Sequence, residues 1–296
     1  MFDVRRLRLL RELSVHGTIA ATAAACSLTP SAVSQQLSLL EREVGSPLFV
    51  RDGRRLVLTE AARVLVEHTE SILAELEQAK ASVSELTGSV RGVLRLSAFA
   101  TAARALVPGA IARCRAEHPD LRVRLSEQET SEALVALKAG GVDVALIYEY
   151  NLLPDVNDAG VELIPIAREP LLAALPPGTP DGEEPLPLSA LRDDPWIAPH
   201  SDTSLRSALE RACELAGFQP DLAYTSDDYT VILALVQAGL GVSLVPRLAL
   251  ESVSPDIQLR EVTEPQLTRT VSAAVRAGSR RTPSIAAVLA SLAGGS

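Results

Sequence analysis

The chain has 296 residues, 47% of them hydrophobic, which is enough for two or three domains with sizeable cores and too apolar for a disordered chain. A net charge of −9 argues against a protein that coats nucleic acid, and Arg, Asp, Glu, Pro or Gly interrupt every apolar stretch before it could span a membrane. Three cysteines (Cys26, Cys114, Cys213) and four histidines lie far apart without CxxC or HxxxH spacing, which argues against a disulfide framework or a metal site.

The average charge hides an asymmetry. Residues 1–58 hold eight arginines against five acidic residues, a balance of +3 that leaves −12 for the rest. The four arginines within Met1–Arg11 sit among leucines with no small-residue cleavage site behind them, so this stretch reads as a helix rather than a signal peptide, and a cytoplasmic chain is expected.

Leu7, Leu9, Leu10 and Leu13 predict a first helix ending near His16-Gly17. Thr18 can cap a second helix, Ile19–Ala25, and Cys26-Ser27-Leu28 forms a turn. Thr29-Pro30 is a strong start for a third: an N-cap hydroxyl, then proline where the missing N–H costs nothing. Val33, Leu37, Leu40 and Val44 give its inward face; Ser31, Ser34, Gln35 and Ser38 give a polar, uncharged outer face. Such a face is either an ordinary solvated surface or one suited to a major groove, where Gln can bond an adenine edge in bidentate fashion. The next segment favours the second reading. Phe49–Leu58 is two short apolar strands around Asp52-Gly53, a hairpin whose tip carries Arg51, Arg54 and Arg55. A hairpin with an arginine-rich tip beside three helices is a wing placed to meet phosphates or the minor groove.

Three stretches carry a family resemblance: Thr29-Pro30-Ser31-Ala32-Val33-Ser34-Gln35-Gln36-Leu37, Leu40-Glu41-Arg42-Glu43-Val44-Gly45, and Leu48-Phe49-Val50-Arg51 with Leu58-Thr59. The segment Thr18–Thr59 resembles the winged helix-turn-helix of LysR-type transcriptional regulators. The resemblance implies that the helix beginning at Pro30 and Ser31 reads DNA and that Arg51 contacts it. Thr18 stands where serine is more usual, which keeps the hydroxyl. The DNA-contacting set is then Thr29, Pro30, Ser31, Ser34, Gln35, Ser38, Arg51, Arg54 and Arg55 of a domain spanning residues 1–58.

Residues 59–88 contain no proline and end at a helix-stopping Gly88. Ala62, Leu65, Thr69, Ile72, Leu76, Ala79, Val83 and Leu86 follow 3-4-3-4-3-4-3 spacing, a narrow heptad seam that either packs on its own domain or takes a partner helix. The resemblance implies a linker helix that pairs with its twin, holding two recognition helices at fixed separation over a two-fold site. It also implies homotetramers beyond the homodimer.

From residue 90 strand and helix patterns alternate: strands at 93–97, 121–126, 142–148, 171–175, 196–198, 222–225, 242–246 and 269–275; helices at 102–117, 131–139, 204–216, 229–238 and 284–292. The expectation is a mainly parallel sheet with helices on both faces, divided into two α/β lobes. Leu137–Leu146 and Leu235–Pro246 match the LysR-type sensor domain, which implies a two-lobed, periplasmic-binding-protein-like effector domain over 89–296, with lobe I about 90–162 and 268–296 and lobe II about 163–267. Strand ends then converge on one cleft at Ser97–Thr101, Glu129-Thr130, Tyr148-Glu149, Pro199–Ser204 and Thr225-Ser226. The expected effector contacts are Ser97, Phe99, Thr101, Thr130, Tyr148, Pro199, His200, Ser201, Thr203 and Thr225. Hydroxyls and helix N-termini there suit an organic anion, although Ser and Thr at such places also serve merely as caps. Phe99, Tyr148, Trp196 and Tyr224, near these strand ends, fit a partly apolar ligand or simply core.

No GxSxG, P-loop or HExxH is present, and His200 with Asp202 lacks a third catalytic group, so neither an enzyme nor a bound cofactor is expected. Peroxide-sensing members of the family use two close cysteines in the second lobe; Cys213 stands there alone, so buried thiols are expected instead. The expected partners are double-stranded DNA, a small-molecule effector and a second copy of the chain, with RNA polymerase a further candidate.

Overall fold

The computed structural model describes residues 1–52, 55–180, 185–201, 203–250 and 254–294. Helix α1 (Val4–His16) starts where the Asp3 carboxylate accepts from the Arg5 amide at 2.8 Å, and ends at Gly17, whose φ of 69° few other residues adopt. Thr18 caps α2 (Ile19–Ala25), and Thr29 caps α3 (Pro30–Val44) with Pro30 in the first turn. Strands β1 (Phe49–Asp52) and β2 (Arg55–Leu58) pair antiparallel as the wing. Leu7, Leu10, Leu13, Val33, Leu37, Leu40 and Leu48 form one buried core under this unit. Thr59 then caps the 28-residue α4 (Glu60–Thr87), whose first turns close that core through Ala62.

The body begins with β3 (Gly92–Ala98), α5 (Ala100–Ala105) and α6 (Val107–Glu117). The single helix expected over 102–117 is thus broken at Leu106. Pro108 has no N–H to donate and its ring crowds the carbonyl four residues back, so a new helix starts with proline in its first turn. There follow β4 (Leu121–Glu127), α7 (Thr130–Ala139), β5 (Val144–Tyr150), β6 (Val161–Leu175), β7 (Leu186–Pro187) and β8 (Pro195–Ala198). The chain continues through α8 (Ser204–Leu215), β9 (Asp221–Thr225), α9 (Tyr229–Gln237), β10 (Ser243–Pro246), β11 (Gln258–Thr263), β12 (Thr268–Arg276) and α10 (Pro283–Ala293).

The sheet departs from the mainly parallel expectation. Strands β3, β4 and β5 are parallel, but β12 runs antiparallel to both β5 and β6, and β10 and β11 run antiparallel to β6. Strand β6 is fifteen residues long, three times the expected 171–175. Its first part, Val161–Pro170, pairs with β12, and its last residues, Leu171–Leu175, pair with β10 and β11. One strand therefore runs from the first lobe into the second. Its proximal half was hidden by Pro165, Pro170 and three charged residues, which argue against a strand in isolation; the sheet accommodates Pro165 at a register shift opposite Val271 and Ser272. In the second lobe β8 pairs with β9, and a bridge from Trp196 to Val242 ties that pair to the strand leading into β10. Apolar cores lie on both faces of each lobe's sheet.

Candidate functional site

The outer face of α3 is assembled as the spacing required. Val33, Leu37 and Leu40 are fully buried, which turns Ser31, Ser34 and Gln35 to solvent, with Ser38 half-buried beside them. Thr29 and Pro30 are exposed at the helix start, where the Thr29 hydroxyl accepts from the Ala32 amide at 3.2 Å and lies 3.0 Å from the Ser31 hydroxyl. No acidic side chain is present between Pro30 and Leu40, so nothing on this face repels a phosphate. Arg54 lies outside the described residues; Arg51 and Arg55 are placed by backbone register, opposite Leu56 and Asp52 in the wing.

The second site is a cavity of about 470 Å³ between the lobes. Its floor is Arg269 on β12, only 2% exposed. The register sets Arg269 between Tyr150 on β5 and Glu169 on β6. Its Nε and one terminal nitrogen donate to the same Glu169 oxygen at 2.9 and 2.6 Å, and that nitrogen also reaches the Thr101 hydroxyl at 3.3 Å. The guanidinium carbon stands 5.1 Å from the Phe99 ring centre and 5.5 Å from that of Tyr148. Burial opposes its charge, but the Glu169 carboxylate counters that opposition and keeps it protonated, with the Tyr150 and Tyr229 phenols adding to this only where they ionise. Burial also pushes the Tyr150 phenol up to about 12 and the Tyr148 phenol further. The Tyr148 hydroxyl donates to Glu129 at 2.8 Å.

Three expected contacts, Phe99, Thr101 and Tyr148, line this cavity. The others are placed differently. Ser97 is fully buried within β3, its hydroxyl without a hydrogen-bond partner among the described residues. The Thr130 hydroxyl accepts from the Tyr148 amide at 3.3 Å and so fastens α7 to β5. Thr203 is the cap of α8, accepting from Arg206, and the Pro199 carbonyl is taken by the Arg206 guanidinium. Thr225 ends β9 opposite Ala198, and Ser201 is exposed in the turn before α8. His200 pairs with Asp227, Nδ1 to carboxylate at 2.9 Å; Asp202 lies outside the described residues. Of these hydroxyls Thr203 serves as a cap, because a helix N-terminus takes the nearest acceptor.

Sequence reasoning missed Arg269, Glu127, Arg104, Asp227, Asp228 and Tyr229, all of which line the cavity. Glu129 was placed at the cleft but not among the contacts. A buried arginine in an apolar strand, Leu267-Thr268-Arg269-Thr270-Val271, was the available signal.

Residues 87–295 match the family model described as the LysR substrate binding domain, and residues 4–63 match that of the bacterial regulatory helix-turn-helix protein, lysR family. The chain belongs to the LysR family. It is a LysR-type DNA-binding transcriptional regulator with an effector-binding domain. Among similar regulators, a probable hydrogen peroxide-inducible genes activator of Mycobacterium avium is 31% identical over 263 residues, covering 88% of this chain and 83% of that protein. The HTH-type transcriptional regulator AlsR of Bacillus subtilis is 26% identical over 244 residues, covering 81% and 79%. The solved structure of a full-length OxyR variant from Pseudomonas aeruginosa superposes with a TM-score of 0.62 at 24% identity, over 99% of this LysR chain and 95% of that one. Full-length CbnR complexed with its target DNA gives 0.57 at 23%, over 99% of both. These two structures bear out the fold. Among the described residues no helix is long and apolar enough to cross a membrane, and no group of three His, Cys, Asp or Glu could hold a metal ion.

Proposed function

We propose that this LysR-type regulator works in the cytoplasm as a dimer or tetramer, reads a two-fold promoter site through Gln35 and its neighbours on α3, and is controlled by an effector bound in the cavity beneath Phe99, Tyr148 and Tyr229. The domain division at residues 58 and 88, with lobes exchanging near 162 and 268, belongs to the same reading. Dimerisation through α4 is supported by its distal seam: Ile72, Leu76, Val83 and Leu86 are 37%, 41%, 64% and 88% exposed, an apolar stripe that a second copy would cover. RNA polymerase remains a partner proposed on family grounds alone.

The cavity lining carries the effector class. Four carboxylates, Glu127, Glu129, Asp227 and Asp228, face two guanidiniums. Both guanidiniums are engaged, Arg269 by Glu169 and Arg104 by the carbonyls of Leu248 and Ala249. The organic anion expected from the helix termini would meet net negative charge. An effector with an aromatic or apolar body and a protonated amine suits three rings and a surplus of carboxylates better, although Glu129, Asp227 and Asp228 already accept from Tyr148, His200 and the Thr230 amide. The site binds rather than transforms: the one His–Asp pair near it, His200 with Asp227, is more than half exposed on both sides.

The peroxide chemistry in the Mycobacterium avium relative's name finds little support here. Cys213 is fully buried, burial pushes its thiol up to about 12, and Cys114 lies in the core of the other lobe with its thiol also raised.

A thermal-shift panel pairing arylalkylamines with the matching arylalkyl carboxylates tests the class. An amine at a hundred times its dissociation constant should add about 2.7 kcal/mol of stability. Stabilisation by the carboxylates alone would reverse the assignment.

A further inference from the structure

Helix α7 touches both functional parts of the molecule. At its N-terminus Glu129 accepts from the Tyr148 hydroxyl inside the cavity, and Thr130 accepts from the Tyr148 amide. At its C-terminus the last carbonyls are taken by the DNA-binding module: Arg11 donates to Lys138 O at 3.2 Å and Arg8 donates to Ala139 O. Arginines at carbonyls left without intrahelical partners are favourable both as hydrogen bonds and toward the helix dipole. Ten residues of helix span about 15 Å, so a single rigid rod joins the cavity wall to α1.

The junction at the C-terminal end is built from three separate parts of the chain. Arg11, 4% exposed, lies 2.8 Å from Glu12 in its own module and 4.0 Å from Glu70 of α4. Lys138, one of two lysines in the chain, lies 3.7 Å from Glu70 and 2.9 Å from Asp158 of the first lobe. Further along α4, Gly278 lets the lobe sit directly on the helix backbone; a Cβ there would lie 2.2 Å from Ala74 O. Arg276 stands 3.7 Å from Glu77 and Arg281 3.0 Å from Glu85.

We propose that α7 is a coupling strut and that Arg8, Arg11, Glu70 and Lys138 form an ionic latch which docks the DNA-binding module on the effector lobe. Occupancy of the cavity draws on Glu129 and Tyr148, displaces α7 along its length and changes the latch; the ligand acts by favouring one of two packings. Because α1 packs on α3, motion at the latch reorients the recognition helix. The strut rests on the cavity being the effector site; the latch does not.

Hydrogen exchange of the full chain, read by mass spectrometry without any ligand, tests both. Glu70→Lys and Lys138→Glu should each speed exchange in residues 4–13 and 136–142 by about tenfold, roughly 1.4 kcal/mol of opening. The double exchange restores opposite charges between positions 70 and 138 but sets a cation against Arg11 and an anion against Asp158, so it should recover only part of the lost protection. Singles that exchange like the parent overturn the latch. Tyr148→Phe and Glu129→Gln at the far end should also alter exchange at 136–142. A change confined to residues around the cavity overturns the strut and leaves the latch standing. If the amine panel fails while these far-end substitutions still reach 136–142, the amine class is at fault and the strut, which needs only some ligand in the cavity, survives.

Discussion

Glu169 and Arg269 are direct neighbours across β6 and β12, joined by two hydrogen bonds to one carboxylate oxygen, while the other oxygen accepts from the Leu248 amide at 2.8 Å. Every polar atom of the Glu169 carboxylate is thus satisfied at a point where the pair is less than a tenth exposed. The pair joins β12 to the one strand, β6, that continues into the second lobe, so it fixes the cavity floor beside the crossover.

Removing one member strands a buried charge. Glu169→Gln should destabilise the chain by about 3–5 kcal/mol, whereas the double change Glu169→Leu with Arg269→Met should recover much of that loss, because no ion is then left without its partner. Urea unfolding of the three variants decides. A single variant costing under about 1 kcal/mol would mean that water reaches the pair.

Gln35→Ala should weaken binding to a selected operator by about 1–3 kcal/mol and leave binding to random duplex almost unchanged. Arg51→Ala should do the opposite, lowering both and flattening the salt dependence by about one unit of slope. Equal losses on both duplexes for Gln35→Ala would make it a phosphate contact.

Leu76→Asp places a charge in the exposed seam of α4 and should dissociate the full-length dimer. Sedimentation equilibrium measures this directly. A parent chain that is already monomeric at concentrations where it binds DNA would remove the seam from the account.

The thiols give a chemical prediction. Burial raises Cys114 and Cys213, and it also raises the half-buried Cys26, so at neutral pH all three are thiols rather than thiolates. Treatment of the native chain with peroxide should leave the three masses unmodified, and labelling should become complete only after unfolding. Rapid oxidation of Cys213 in the folded chain would show that α8 opens.

Asp143 supplies a pH dependence. Burial alone would raise its carboxyl, but three hydrogen bonds from the Arg95 amide and guanidinium, with Arg276 nearby, bring it below the ordinary range. The folded state therefore holds this proton less tightly than the unfolded chain. Its stabilisation is complete above the unfolded value of about 3.9 and fades as pH falls through the lower folded one. Asp143→Asn should lower the urea midpoint at neutral pH and flatten its fall in acid.

Local chemistry along the sequence determined the DNA-binding module. Caps at Thr18, Thr29 and Thr59, proline at the start of α3 and the periodicity of Val33, Leu37 and Leu40 all act within a few residues, so they set both the helices and the polar outer face proposed to read DNA. The same locality gave α7, α8 and α9, and the seam of α4. Tertiary structure alone decided the cavity. Arg269, Glu169 and Tyr150 come together through pairing across three strands, and residues 100 positions apart acquire neighbours only when the register is set. Of the hydroxyls legible as anion donors, Thr203 caps its own helix and Thr130 fastens α7 to β5, and the charge that defines the cavity came from carboxylates whose position depends on how the two lobes close. The docking of α1 on α7 was equally invisible, since Arg8 and Arg11 read as surface charge until the last carbonyls of a helix about 130 residues away met them.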